Sequence, residues 1–272
     1  MLNPRPLAGA TLAALALLAP AAADARDRPL AQKQFVTHAQ GEARLALTAS
    51  APGSYWGSAG RESAVLRVSV DGRYSQDVVL FAGAQRFTYD VALGPLDRGR
   101  HNVTVAFDRA KSPPGARGAK VTRLAPSLAA TDDLAARYAP ILYGRDLPEI
   151  PGRYENNATD VPLLEYHTIG TGADGSTTIE YTMIWSNEDG GTNTPALMAR
   201  WGRTTDIEWI YRVVLDPAGR IVSEHYQAPN HETKQFTGAK EGRHPLLVDV
   251  TANNNLEQVT DPDASTGYRF FL

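Results

Sequence analysis

The sequence predicts an all-β protein made of two β-sandwich domains in tandem, with a short helix near their junction. Three observations predict this class: short stretches alternate apolar and polar residues, turn residues separate them at near-regular spacing, and no long helical period interrupts the first half. The chain has 272 residues, of which 43% are hydrophobic, so each half is long enough to bury a core. We place an N-terminal sandwich module at residues 26–125 and a C-terminal sandwich domain at residues 126–272.

The first 25 residues are typical of a secretory signal peptide. Arg5 supplies a positive start, residues 7–18 form an apolar run, and Ala23-Asp24-Ala25 has the A-x-A pattern of a cleavage site. The run is too short for a permanent bilayer span, which needs about 20 apolar residues. A buried N-terminal helix is the alternative. We therefore expect a secreted or periplasmic protein that begins near Arg26 and has no transmembrane span in its mature part.

Composition excludes several classes of function. The formal net charge is -3, so there is no basic field to hold a nucleic acid, and we expect no nucleic-acid partner. The chain has no cysteine, which excludes disulfides and thiolate metal sites. The sequence also lacks the phosphate-binding loop, the dinucleotide-binding glycine motif, the H-E-x-x-H zinc motif and the G-x-S-x-G elbow.

The first half is strand-like from Gln34 to Leu124, after a polar lead at residues 26–34. Residues 64–70 alternate regularly and precede Asp71-Gly72, which is a hairpin turn signal. The same type of pattern predicts the other strands of this half, at residues 43–49, 77–81, 87–93, 101–107 and 118–124.

The second half begins with a predicted short helix over residues 131–138, for which Thr131 is the expected N-cap. Its clearest strand is residues 206–215, and a turn at residues 216–220 leads to a returning strand at residues 221–228. The alternation of this central strand predicts one continuous apolar face, formed by Ile207, Trp209, Tyr211, Val213 and Leu215. The other predicted strands are residues 176–185 and 244–250.

The turn also predicts a register for the hairpin. If Asp216 pairs with Arg220, then Arg212 lies opposite Glu224. The same register places His225 opposite Tyr211, on the other face from Asp206 and Glu208. In that case, an Arg212–Glu224 pair on a solvated face explains the strand without any catalytic or binding role.

Asp206 and Glu208 are the best candidates for chemistry because residues two apart in a strand project from the same face. His225 and His231 follow in the returning strand and just after it. Carboxylate oxygens suit a hard cation, and imidazoles shift the preference toward manganese or zinc. These four residues therefore predict a metal site for calcium, magnesium or manganese, and the same groups would also serve as an acid/base pair.

Two loops carry candidate ligand-binding residues. Tyr55 and Trp56 lie in a Gly/Ser-rich loop, where aromatic rings either stack on sugars or cap the edge of a core. Asn187 and Asp189 lie in a Gly-rich loop ahead of the acidic strand. We include all four in the predicted ligand site.

The second half is similar to a group of β-sandwich proteins that includes the vacuolar-protein-sorting-associated family and, more distantly, the necrosis- and ethylene-inducing-like proteins. Residues 138–143 (YAPILY) resemble an opening of that group, residues 205–208 (TDIE) resemble its H-D-W-E-type stretch, and His225-Tyr226 resembles its later histidine. Thr205 stands where those proteins carry a histidine. The resemblance covers residues 136–255.

This resemblance implies a β-sandwich and, from the necrosis-inducing relatives, acidic residues that hold a divalent cation and support recognition of lipid headgroups. The N-terminal half resembles, more loosely, the ancillary sandwich modules of secreted bacterial enzymes. Two functions follow as expectations. The first is an exported recognition protein for glycans or lipid headgroups, and the alternative is a metal-assisted hydrolase or lyase that uses Asp206, Glu208 and a nearby histidine.

Overall fold

The computed structural model describes residues 28–150, 156–157, 160–188, 194–264 and 267–272. Within these ranges most of the regular structure is β-strand, arranged in several mainly antiparallel sheets, so the predicted all-β class is confirmed. No helix in these ranges is long and apolar enough to cross a membrane. The predicted signal peptide lies outside the described residues, and the boundary at residues 125/126 stays a prediction.

The first half forms two sheets. Their strands are β1 (Ala31–Thr37), β2 (Gly41–Ser50), β3 (Val65–Val70), β4 (Arg73–Val79), β5 (Phe87–Leu96), β6 (Gly99–Phe107) and β7 (Lys120–Leu128). One sheet has the strand order β1-β6-β3-β4 and the other the order β5-β2-β7. Between them lies a core to which strands of both sheets contribute, including Leu45, Leu47, Leu66, Val91 and Val105.

Two details of this half bear on the predictions. The hairpin turn at Asp71-Gly72 is confirmed, because both residues have positive φ (51° and 79°), as a tight hairpin requires. The polar lead is partly wrong, because β1 is a regular strand that pairs with β6 and places Phe35 opposite His101. The reason is that β1 is an edge strand, whose mostly exposed residues need not be apolar.

The second half also forms two sheets. Its strands are β8 (Ile141–Tyr143), β9 (Pro162–Thr171), β10 (Thr177–Trp185), β11 (Asp206–Leu215), β12 (Ile221–Ala228), β13 (Glu232–Gln235), β14 (Lys240–Glu241), β15 (His244–Asp249), β16 (Leu256–Gln258) and β17 (Arg269–Phe270). The larger sheet has the order β13-β12-β11-β10-β9. The smaller has the order β14-β15-β8-β17, with β16 beside β15, and β8 runs parallel to β15. The second core contains residues of both sheets.

The described residues include the helices α1 (Leu134–Tyr138) and α2 (Thr194–Trp201). The predicted N-cap of α1 is wrong by two residues. Asp133 caps the helix, because its side chain accepts a hydrogen bond from the Ala136 N–H at 2.9 Å. Asp and Thr are both good caps, so composition alone did not decide between them.

The predicted Arg212–Glu224 pair is also wrong. Asp216 and Arg220 pair across the turn as expected, and Leu215 lies opposite Ile221. The register then shifts, because Val214 lies opposite Ser223 and Val222 is left over as a β-bulge. One inserted residue moves every later pair, so Arg212 faces His225 instead.

Segment 268–272 joins the two halves. The Phe271 backbone N–H donates to Gln76 Oε1 at 3.1 Å, and its carbonyl accepts from the Ala92 N–H at 2.8 Å. The Phe271 ring packs edge-on against His244, which in turn lies 3.1 Å from Glu42 of the first half. The two halves are therefore held together by buried backbone and side-chain bonds.

Candidate functional site

A second β-bulge decides where the acidic pair of β11 points. Tyr181 lies opposite Tyr211 and Thr182 lies opposite Trp209, so Ile210 is the extra residue. Ile210 and Tyr211 are both fully buried, which means that the in–out alternation inverts between them. Asp206 therefore lies on the core side of the sheet, on the same face as Tyr211.

This bulge overturns the predicted continuous apolar face. Ile207 is 37% exposed, although the unbroken alternation placed it with buried Tyr211 and Val213. Asp206 is completely buried in its place. The prediction that Asp206 and Glu208 share a face agrees with their positions on the same side of the bulge, but that face points inward rather than to solvent.

Asp206 lies in a buried polar network. Its Oδ2 accepts a hydrogen bond from Asn254 Nδ2 at 3.1 Å, and the same amide nitrogen lies 3.2 Å from Asp160 Oδ2. Asn254 adopts a left-handed backbone with φ of 58°, a conformation that asparagine tolerates better than most residues. Asp206 Oδ1 is buried and has no hydrogen-bond partner in the part of the chain that the structure describes.

Arg145 is the cation of this network and is 2% exposed. Its guanidinium donates to Asp160 Oδ2 at 3.2 Å, to the Ala252 carbonyl at 2.9 Å and to the Asn156 carbonyl at 2.7 Å. Asp160 also accepts from the backbone N–H of Asn187 at 3.0 Å. Arg145 therefore ties the loop before β9 to the loop after β15 around the buried acids.

The network holds more negative than positive groups. Burial raises the pKa of Asp160, and it raises the pKa of Asp249 well above its usual range, while Arg145 opposes both shifts. Burial also raises the pKa of Asp206 to about 7, although its hydrogen bond from Asn254 works in the opposite direction. Three buried aspartates thus share one buried arginine, and the network favours a proton or another cation.

Two glutamates stand next to Asp206 and add repulsion to its charged form. Glu188 is bound by Arg203, whose guanidinium lies 2.8 Å from its Oε2. Glu208 has a neutral partner and a titratable one. Gln227 Nε2 donates to Glu208 Oε2, and His231 Nδ1 lies 3.5 Å from the same oxygen.

Glu208, Gln227 and His231 form the polar mouth of the site. Gln227 Nε2 is 3.2 Å from His231 Nδ1, so the three side chains contact one another. The His231 side chain is 58% exposed, whereas that of Glu208 is 17% exposed. A 3₁₀ turn over Pro229–His231 positions the imidazole, and both Asn230 and His231 have left-handed backbones with φ of 61° and 59°. Two consecutive non-glycine residues in this region carry strain, which is most often found at functional sites.

The structure does not bring His225 into this cluster. His225 pairs with Arg212 on the opposite face of β11 from Tyr211. Arg212 donates to Glu180 Oε2 from its Nε at 2.7 Å and stacks on the Trp209 ring at 4.7 Å. Of the two histidines predicted as metal ligands, only His231 lies beside Glu208 in the described structure.

The two predicted ligand-binding loops lie in different halves of the chain. Tyr55 is 66% exposed, and Trp56 is 38% exposed, with its indole N–H donating to the Phe81 carbonyl at 2.8 Å. Both belong to the loop between β2 and β3 of the first half. Asn187 joins the network through its backbone N–H, and Asp189 lies outside the described residues.

Sequence reasoning missed most of the buried network, namely Arg145, Asp160, Asp249, Asn254 and Gln227. A single arginine or asparagine in a loop belongs to no periodic pattern. These residues are buried because the loop before β9 packs against the loop after β15, and that contact cannot be read from the sequence. The run of three asparagines at residues 253–255 was the best available signal, since a polar loop of this kind is a common place for a left-handed residue.

Comparison with models of known protein families finds none that matches the chain, and comparison with curated proteins finds no match. Within the described ranges, no group of three His, Asp or Glu side chains is arranged so as to hold a metal ion. The described fold is that of an all-β protein in which a buried acidic network lies beside Glu208, which contacts the exposed His231.

Proposed function

We propose that this protein recognises glycans or lipid headgroups at the polar mouth formed by Glu208, Gln227 and His231, and that a divalent cation held by Asp206 and Glu208 supports the binding. The observation that carries the proposal is the buried Asp206 Oδ1, which has no partner in the described structure. Such an atom is rare in folded proteins and is costly unless a proton or cation satisfies it.

The donors of this site have the chemistry that a hard cation requires. Carboxylate oxygens are preferred by calcium, magnesium and manganese. Two carboxylates leave several coordination positions of such an ion open to water and to the oxygen atoms of a ligand. When bound, the cation supplies the positive charge that sugar hydroxyls or phosphate oxygens coordinate.

The residues of the mouth have the roles of positioning and selection. The His231 imidazole is mostly exposed and is therefore available to donate or accept a hydrogen bond. Gln227 holds both Glu208 and His231, which limits their freedom before a ligand arrives. The resemblance of residues 205–208 to the acidic stretch of the necrosis-inducing proteins supports the same assignment.

The cation is tested by thermal unfolding of the full mature chain with EDTA and with excess calcium, magnesium or manganese. We expect at least one ion to raise the melting temperature by several degrees, since saturation at about 100 times the dissociation constant stabilises by about 2.7 kcal/mol. Glu208→Gln removes one ligand and is expected to abolish the shift, whereas the matched control Glu232→Gln on exposed β13 keeps it. Identical melting curves in EDTA and in all three ions would refute the cation.

Recognition is tested separately with soluble oligosaccharides and with vesicles of an anionic phospholipid, each with the preferred ion and with EDTA. We expect ion-dependent binding to one of these probes, and His231→Ala is expected to weaken it without changing the thermal shift caused by the ion. If the protein takes up the ion but binds neither probe, the cation site is structural and the proposed recognition function is refuted.

A metal-assisted hydrolase or lyase is the second candidate, and the contact between Glu208 and His231 favours it. A carboxylate 3.5 Å from an exposed imidazole can orient a general base, and the strained turn fixes the ring above it. Bis(p-nitrophenyl) phosphate is a suitable probe. Ion-dependent hydrolysis that His231→Gln abolishes would establish the enzyme, and its absence together with ion-dependent binding would favour recognition.

A further inference from the structure

A cleft lies between the two halves of the molecule, beside the connection that Ala92 makes with segment 268–272. It lies between β5 and β9, which are edge strands of their respective sheets in the described structure. Two neighbouring cavities of about 180 Å³ and 290 Å³ share Asp90, Val91, Glu165 and Leu272 in their walls. Together they fall within the size range of small-molecule sites, about 300–1,000 Å³.

Glu165 lies in the walls of both cavities, and one oxygen of its carboxylate is unsatisfied. Its Oε2 is buried and has no hydrogen-bond partner among the described residues. Burial is also the cause of a pKa well above the usual range of a glutamate. A buried carboxylate without a partner costs free energy, so the position calls for a cation or a strong donor.

The charged and titratable groups that face the smaller cavity with Glu165 are Glu42, Arg44, Asp90, Asp133, His167 and Tyr181. The arginine among them is paired with another carboxylate, because Arg44 Nη2 lies 3.7 Å from Asp133 Oδ2. Glu42 is paired with His244, and the Tyr181 hydroxyl donates to the Ala135 carbonyl at 2.7 Å. Acidic groups therefore outnumber basic ones, and Glu165 is left without a counter-charge.

The walls of the larger cavity are mostly apolar and aromatic, and their acidic members are Asp90, Glu165 and Asp77, which is paired with Lys111. The rings of Phe81, Phe87 and Tyr89 contact one another with centroid distances of 5.0–5.2 Å, and Leu163 and Leu164 face them from β9. Phe87 is 43% exposed and Leu164 is 53% exposed. Contact with a hydrocarbon ligand would cover apolar surface that water now reaches.

We propose that this cleft binds an amphiphilic primary amine, with the ammonium group at Glu165 and the hydrocarbon chain over Phe81, Phe87 and Leu163. Glu165 and Glu208 are the partners of Met183 on its two neighbouring strands, so the cleft and the mouth belong to one sheet. The amine proposal does not depend on the function proposed at Glu208. The ammonium group of the amine supplies the counter-charge that Glu165 lacks, and its hydrocarbon chain covers the exposed aromatic wall.

Binding of an ammonium ion has a defined effect on protonation. In the free protein burial favours the neutral form of Glu165, and a neighbouring cation favours the ionised form. At any pH at which Glu165 is protonated in the free protein, binding of the amine therefore releases a proton. Affinity increases with pH as long as the amine itself, with a pKa near that of lysine at about 10.4, stays protonated.

The test is calorimetric titration of the mature full chain with n-octylammonium, 1-octanol and octanoate at equal chain length. We expect n-octylammonium to bind best and octanoate to bind worst. Repeating the titration in two buffers of different ionisation enthalpy is expected to show proton release with the amine and none with the alcohol. This comparison needs no variant and therefore does not depend on the folding of a mutant.

Glu165→Gln keeps the shape of the side chain and removes its charge. We expect it to weaken n-octylammonium binding by roughly tenfold or more, to abolish proton release and to leave octanol binding unchanged. The matched control Glu232→Gln lies on exposed β13 and is expected to behave as the wild type. Equal affinity for the amine and the alcohol, no binding of either, or a Glu165→Gln variant with unchanged amine affinity would each overturn the proposal.

Discussion

Asp206 is a carboxyl group whose titration the fold moves from acidic pH toward neutral pH. Its pKa is about 7 in the folded chain, against an ordinary value of 3.8, and burial is the main cause. The folded state therefore binds more protons than the unfolded state between about pH 4 and pH 7, so this group lowers stability as pH rises through that window. Above pH 7 Asp206 is ionised in both states, and its burial lowers the free energy of unfolding by the full amount.

We expect Asp206→Asn to remove this cost when divalent ions are absent. In EDTA the variant should match the wild type below pH 4, become more stable than it between pH 4 and pH 7, and keep a gain of at most about 4 kcal/mol above pH 7. Urea unfolding across this pH range measures the difference. Asp263→Asn, at an exposed 3₁₀ turn, is the control and should show no such trend.

The same substitution should reverse its sign when the cation is present. An ion bound to the ionised carboxylate stabilises the wild type by mass action, and the asparagine variant loses that contribution. A variant that remains more stable than the wild type in saturating calcium, magnesium and manganese would show that Asp206 holds a proton rather than a metal.

At the scale of the strand, the bulge at Val222 changes which charges interact. The structure pairs Arg212 with Glu180 and leaves Glu224 to Lys240 and the Tyr211 hydroxyl. We expect a double-mutant cycle between Arg212→Met and Glu180→Gln to give a coupling of about 0.5 kcal/mol, as is usual for a partly exposed ion pair. The cycle between Arg212→Met and Glu224→Gln should give a coupling near zero, and a larger value there would restore the unbulged register.

The turn over Pro229–His231 carries the strain that presents the imidazole. Asn230→Gly is expected to be neutral or slightly stabilising, because glycine adopts a φ of 61° without steric cost. Asn230→Val should destabilise by about 1–2 kcal/mol, since β-branched residues strongly disfavour the left-handed region. Thermal unfolding checks the stability, and the His231 imidazole resonances in NMR spectra check whether the ring leaves Glu208. Equal stability of both variants would mean that the turn is not strained.

The positions of most strands could be predicted from the sequence, and the faces of some could not. Residues 206–215 and 221–228 form strands with the predicted bounds, because alternation and turn residues are local signals. The bulges at Ile210 and Val222 have no such signal, since one extra apolar residue looks like the continuation of a strand. The bulge at Val222 sets the register of the hairpin, and the bulge at Ile210 turns the Asp206 side chain toward the core. The pair of Asp206 and Glu208 was therefore predictable from the sequence, whereas the burial of Asp206 was not.

The whole molecule depends on segment 268–272 to close both cores. Phe271 is 2% exposed and contacts His244 of the second half while its backbone bonds to Gln76 of the first. We expect Phe271→Ala to lower the free energy of unfolding by about 3–5 kcal/mol, the usual cost of a buried phenylalanine. The loss should appear in both halves together as one transition in urea, and two separate transitions with only one displaced would contradict this coupling.

The distance along the chain between Phe271 and Gln76 also bears on the time course of folding. These bonded residues are 195 positions apart, and β8 pairs in parallel with β15 about a hundred positions later. Such non-local pairings impose a high contact order, which slows folding because the loop entropy is lost before the contacts form. The two sheets of the first half can form early, but the bonds of Gln76 and Ala92 to Phe271 form only when segment 268–272 docks. A nascent chain therefore spends an extended period with exposed β edges, during which a chaperone would have the greatest effect on its yield.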